Sequence, residues 1–343
     1  MQLTRRRAVV LAAATATTLA LGACGSSGTD AAAPASGGGT DVTLMLNWYP
    51  YGEHAPFYLG VEQGIFAKHG INLTIKAGQG STKTVQAVGG DQVDFGWADT
   101  PAVLSNVDKG VKVKSLGVFL QTTPSAVQVF ADSGISSPAD LKGRTIAVSA
   151  GDAPTTTFPI YLEKAGLAPN DVKQQNLDAA GKIAAVISGR VDGLIGFAHD
   201  QGPTIAAKSG KEMRYLRYSD VGLNFYSNGL IASDATIGSR GELAKAMVAA
   251  TSESFAAAEK NPDAAVAAMA GKDPQMPKKD VLLDQWKQTT QLLHTKNTEG
   301  QAPGVDADAD WDATIEVLAS AGLLGSAKER STYYDSSFQP AGE

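Results

Sequence analysis

Strand and helix signals alternate along most of this chain, and that alternation restricts it to few folds. "DVTLMLNW" reads as a strand, and residues 56–68 place Phe57, Val61, Ile65 and Phe66 at helical spacing. "INLTIKAG" is a strand ending in glycine, and 82–88 is a short helix. "QVDFGWAD", "TPAVLSNVDKG" and "VKVKSLGVFLQ" continue as strand, helix and strand. Repeated steps of this kind predict an α/β fold with mainly parallel sheets covered on both faces.

The pattern then restarts. "SAVQVFADS", the turn "SSPADLKG" and "RTIAVSAG" lead into a helix near 156–165. "DVKQQNLD", a helix at 181–187, "VDGLIGFAHD", a helix near 203–208 and "MRYLRYSD" complete a second alternating unit. The chain returns through "LNFYSNGLIASD". Helices then dominate, at 240–260, 262–270, 278–293 and 310–318. The second unit, 123–222, therefore reads as inserted into a first made of 41–122 and 223–343. Two crossover strands, near 117–129 and 224–231, form the expected hinge. Ligands of open α/β sheets bind beyond the carboxyl ends of strands. Two such domains face each other across a cleft that a hinge can close. A two-domain α/β enzyme shares this topology.

The N-terminus carries a different signal. Arg5, Arg6 and Arg7 precede an apolar run from Ala8 to Leu21, followed by Gly22, Ala23 and Cys24. Residues 1–23 read as a secretory signal peptide, too short for a comfortable membrane span. Cys24 is the one cysteine of the chain, and Leu21-Gly22-Ala23-Cys24 resembles a bacterial lipobox, which makes Cys24 the expected lipidation site. Thr4-Arg5-Arg6 also fits a twin-arginine signal loosely. Residues 24–40 hold no large apolar side chain and read as a flexible tether. The expected location is the outer face of the cell membrane, with lipid anchoring rather than spanning it.

Without residues 1–23, 26 basic residues face 35 acidic ones, a net charge of −9. That balance does not favour nucleic acid. A single thiol excludes a disulfide within the chain and a zinc–thiolate cluster. There is no Gly-x-Ser-x-Gly elbow, Walker loop or His-Glu-x-x-His, and Gly78-x-Gly80 lacks the third glycine of a dinucleotide loop. His54, His69, His199 and His294 have no metal-ligand spacing. His69 and His294 read as helix-end residues complementing the dipole. No catalytic residue, cofactor or metal is expected.

The loops after the strands remain: "NWYPYGEHAP", "GQGSTK", "WADTPA", "LQTTPS", "SAGDAPTTT" and "FAHDQGP". They contain one lysine, Lys83, and no arginine. An anion site recruits cations or helix N-termini, whereas a flat neutral ring recruits aromatic faces and a few placed hydrogen-bond groups. Candidate ligand contacts are Asn47, Trp48, Tyr49, His54, Gly80, Ser81, Thr82, Trp97, Asp99, Gly151, Asp152, Thr155 and Asp200. Trp48 could instead cap the core, His54 could staple the next helix, and Trp97 could point into the core. Tyr51 and Glu53 read as rim residues, Phe225 and Tyr226 as hinge packing, and 277–280 as a solvated helix start.

"LNWYPYGEHAPFYLGVEQGIFAKHGINLTI" and "GQGSTKTVQAVGGDQVDFGWAD" resemble the ThiY-like family, within the wider nitrate-, taurine- and aliphatic-sulfonate-binding group. "LKGRTIAV" extends the likeness to the wider group into the second unit. ThiY-like proteins are substrate-binding lipoproteins of ABC importers that carry pyrimidine precursors of thiamine. The resemblance implies a type II periplasmic-binding-protein-like fold with a helical C-terminal region. It also implies a monomer that delivers its ligand to a membrane permease driven by a separate ATPase. Asn47-Trp48-x-Pro50 followed by His54 carries the narrower match. In that reading Trp48, Tyr49 or Tyr51 stacks on the ring, and Asn47 and a carboxylate read its polar edge. Asp200 is the expected carboxylate, with Asp152 and Asp99 as competitors, and the sequence around Asp200 departs from the family's. One rival keeps the fold and binds a sulfonate, nitrate, riboflavin-like ring or other small solute. A second is a pyrimidine-precursor synthase, for which Lys83 is the nearest reactive-lysine candidate.

Overall fold

The computed structural model describes residues 38–340. The expected signal peptide at 1–23, most of the expected tether and Cys24 lie outside the described residues. Among the described residues, ten strands form two five-stranded sheets. The first contains β1 (Thr40–Met45), β2 (Ile71–Lys76), β3 (Phe95–Asp99) and β4 (Val113–Val118). The second contains β5 (Ser125–Phe130), β6 (Thr145–Val148), β7 (Lys173–Asn176), β8 (Gly193–Phe197) and β9 (Met213–Arg217). β10 (Asn228–Ser233) completes the first, in the order β2-β1-β3-β10-β4, and the second runs β7-β6-β8-β5-β9.

In each sheet four strands run one way and one runs against them, as expected of mainly parallel sheets. β1 pairs parallel with β2 and β3, while β10 pairs antiparallel with β3 and β4. The second sheet repeats this: β6 is parallel to β7 and β8, and β5 is antiparallel to β8 and β9. The reversed strand in each sheet is the one the chain enters on crossing over. It arrives from the end where its neighbours finish, so it must run against them.

Helices cover the sheets where apolar residues recur at helical spacing. The expected helix at 56–68 is two, Ala55–Glu62 and Ile65–Lys68, because Gly64 is left-handed at φ 69° and ends the hydrogen-bond ladder. The C-terminal helices are Gly241–Lys260, Pro262–Ala267, Lys279–Thr290 and Asp308–Ser320. His294 therefore lies beyond its helix, not in its last turn. Under the first sheet sits an aromatic core: Trp97 meets Phe57 at 5.0 Å, Phe119 at 5.4 Å and Phe255 at 5.5 Å between centroids. Each ring is fully buried, and burial of such a side chain stabilises by about 1.5–3 kcal/mol. This core makes a rigid floor for the loop that follows β1.

Candidate functional site

The loop after β1 is pinned from below. The backbone oxygens of Asn47 and Trp48 accept from the N–H groups of Gly80 (2.8 Å) and Gly78 (2.9 Å), and Thr84 Oγ1 donates to Leu46 O at 2.8 Å. His54 sits fully buried below the loop. Its Nδ1 accepts from the Tyr51 N–H at 3.3 Å, so Nε2 carries the hydrogen and donates to Asn47 Oδ1 at 2.8 Å. Burial lowers the His54 pKa to about 4, against the pull of Glu53, so the ring is neutral at physiological pH. His54 thus orients the Asn47 carboxamide.

Glu53 is not a rim residue: it is fully buried, as is Tyr51. Its Oε1 accepts from Trp97 Nε1 (2.5 Å) and Asn228 Nδ2 (2.6 Å). Its Oε2 accepts from the Tyr51 hydroxyl and from His199 Nε2 at 2.7 Å. Burial alone would raise its pKa, but the hydrogen bond and charge of His199, with His54 and Tyr51, outweigh it and hold the group at about 2. Glu53 belongs to the side of the first sheet and His199 follows β8 of the second, so this carboxylate ties the two lobes.

Other contacts cross the same gap. Tyr49 OH donates to Asp200 Oδ1 at 2.8 Å. Gln285 Nε2 donates to Asp200 O at 2.8 Å, while Gln285 Oε1 accepts from Gly52 N at 2.9 Å. Thr82 N donates to Gly151 O at 3.3 Å. A Cβ on Gly80 would stand 2.6 Å from Gly151 O, so the approach requires glycine there.

Between the lobes lies an inner cavity of about 330 Å³. The first lobe lines it with Asn47, Trp48, Tyr51, Gly80 and Ser81. The second contributes Asp152, Ala153, Pro154, Lys182, Gly196, Phe197, Asp200 and Gln201. Trp48 also borders a wider outer cavity, about 1090 Å³, with Tyr49, Lys83 and Gln79 on its walls. Contacts from both lobes surround the inner cavity.

Asp152 caps the helix Ala153–Lys164, accepting from Thr155 N at 2.9 Å through Oδ1. Its Oδ2 accepts from Lys182 Nζ at 2.9 Å. Lys182 also donates to Ile195 O at 2.8 Å and lies 5.5 Å from the centroid of the Trp48 ring. Burial, with the charge of Glu53, lifts the Asp200 pKa to about 7 against the Tyr49 hydrogen bond and the Lys182 charge.

Of the expected contacts, Asn47, Trp48, Gly80, Ser81, Asp152 and Asp200 line the inner cavity, and Tyr49 the outer one. Trp97 does not: it stands in the core and serves Glu53. Asp99 accepts from Ser227 Oγ at 2.6 Å, off the cavity, and burial lifts it to about 8. Thr82, Gly151 and Thr155 act through backbone atoms at the lobe contact and helix cap. His54 supports Asn47 from behind. Sequence reasoning passed over Lys182, His199 and Gln201. Lys182 carried a signal: with Ala185 and Val186 it lies on the apolar face of the helix Ala179–Ile187. Lys83, the lysine singled out, is exposed and donates to Gln79 Oε1 at 3.1 Å. Among the described residues no cluster of His, Cys, Asp and Glu is set to hold a metal.

A family model described as NMT1/THI5 like matches residues 52–265. A formylaminopyrimidine-binding protein of Halalkalibacterium halodurans is 26% identical over 228 residues, covering 66% of this chain and 68% of that one. The riboflavin-binding protein RibY of Chloroflexus aurantiacus is 26% identical over 307 residues, covering 88% and 86%. The periplasmic aliphatic sulphonate-binding protein of Escherichia coli superposes with a TM-score of 0.65 at 17% identity, covering 88% of this chain and 92% of that one. That likeness is one of fold: two α/β domains of the periplasmic-binding-protein type, as expected.

Proposed function

The chain belongs to the NMT1/THI5-like family, and from that premise we propose that it is the extracytoplasmic solute receptor of an ABC importer. It captures a small aromatic heterocycle, a thiamine pyrimidine precursor such as formylaminopyrimidine or hydroxymethylpyrimidine, and delivers it to a permease. The observation that carries this reading is the inner cavity, where Trp48, Tyr51 and Phe197 stand beside hydrogen-bonding groups drawn from both lobes. Such a ligand touches both lobes, so it favours the closed state over the open one. The relative that binds formylaminopyrimidine supports the choice of ring.

The receptor performs no reaction in this account. Export through residues 1–23 and lipidation of Cys24 hold it at the outer face of the cell membrane, as a monomer with its lobes at 41–122 with 223–343 and at 123–222. The outer cavity supports a second reading, a larger ring system such as riboflavin, which a further relative binds. The buried Lys182 would favour an anion, but Asp152 at 2.9 Å already neutralises it.

Trp48 supplies the test. Stacking of a base on an aromatic side chain contributes about 1–3 kcal/mol, so Trp48→Ala should weaken pyrimidine binding about 5- to 150-fold. Ligand titration followed by tryptophan fluorescence, with circular dichroism to verify the fold, measures this. Unchanged affinity in a folded variant contradicts the reading.

A further inference from the structure

Among the described residues, the amide nitrogen of Gln201 is buried without a hydrogen-bond partner. The side chain is 1% exposed and lines the inner cavity. Buried donors are nearly always satisfied, and an orphan calls for a cause. The seat of this carboxamide is built for it. Gly196 lines the same cavity, and a Cβ there would lie 2.2 Å from Gln201 Oε1. The carboxamide oxygen therefore rests where any other residue at 196 would displace it.

The neighbouring side chain offers the opposite function. Asp200 Oδ1 accepts from Tyr49, while Oδ2 accepts no hydrogen bond among the described residues. Asn47 is less free to read a ligand edge, since His54 engages its oxygen. We propose that Gln201 is the specificity-determining donor of this site. Its Nε2–H binds a ring nitrogen of the ligand while Asp200 accepts from the N–H on the adjacent atom. The ligand class is a flat ring bearing a donor and an acceptor side by side, the edge of an aminopyrimidine. This rests on the heterocycle reading above and narrows it.

The test uses the full chain and two probes, 4-amino-5-hydroxymethyl-2-methylpyrimidine and its 4-oxo counterpart. The second inverts the edge, because its ring nitrogen carries the hydrogen and its exocyclic oxygen accepts. Sites that pair polar groups reject analogues that leave them unpaired by large factors. Wild type should prefer the amino probe by about 100-fold or more in Kd. Gln201→Leu and the near-isosteric Gln201→Glu should lose about tenfold or more in affinity for the amino probe and narrow that preference about tenfold. Folded variants that keep both affinity and preference overturn the role of Gln201 and leave the heterocycle reading intact. So does a wild type that binds both probes equally. A wild type that binds neither probe overturns both proposals.

Discussion

Glu53→Gln is the substitution that most searches the contact between the lobes. Glu53 is fully buried and accepts from Trp97, Asn228, Tyr51 and His199. Glutamine keeps one acceptor, sufficient for Trp97 and Asn228. It puts an NH2 where the Tyr51 hydroxyl and His199 now donate. Leaving buried donors to a charged group unsatisfied costs about 1–3 kcal/mol or more. The same magnitude follows from protonation: a carboxyl held at about 2 instead of 4.5 represents on the order of 3 kcal/mol. The variant should therefore lose about 2–4 kcal/mol at pH 7, read as a lower denaturant midpoint with little change in slope. The sign with pH is fixed. A depressed carboxyl stabilises fully above its unfolded pKa and loses that contribution as pH falls from about 4.5 toward 2. Wild type and variant should therefore converge as the pH is lowered through that window. A variant as stable as wild type at pH 7, or a gap undiminished at pH 2.5, refutes the reasoning.

Two other perturbations probe neighbouring features. Burial raises Asp200 to about 7 and Asp99 to about 8, so between the ordinary carboxylate range and pH 8 the folded state binds more protons than the unfolded one. Stability should fall as pH rises from 6 to 8.5, seen as a lower thermal midpoint at constant ionic strength; a flat or rising midpoint contradicts this. Gly80→Ala would set a Cβ 2.6 Å from Gly151 O at a φ of 115°, which obstructs closure of the lobes. Its affinity for the cognate ligand should drop about tenfold or more, and scattering should show no compaction on adding ligand; wild-type affinity would mean that Gly80 and Gly151 need not approach.

The fold was legible in the sequence because its elements announce themselves locally. β3 and β8 are buried along their whole length and apolar or glycine but for Asp99, and helices such as Ala153–Lys164 open on a side-chain cap. Strand direction is not local. Nothing within "NGLIAS" says that β10 runs against β3 and β4; that follows from the route by which the chain returns. The loop after β1 was legible as a wall of the cleft, since Asn47 and Trp48 stand at the end of a buried strand. The role of Glu53 was not, because His199 and Asn228 lie 146 and 175 residues away. An acidic residue in a loop reads as solvated until such partners appear. Gln201 was hidden for a similar reason: its position gains meaning only beside Gly196 and with its amide nitrogen buried and unpaired.

The central claim is capture of a polar-edged ring between two lobes, and calorimetric titration of the full chain tests it most directly. Formylaminopyrimidine and hydroxymethylpyrimidine are the ligands, with taurine and nitrate as controls. A pyrimidine should bind saturably, one to one, and neither anion should bind. Binding of taurine or nitrate with no heat from either pyrimidine would contradict it.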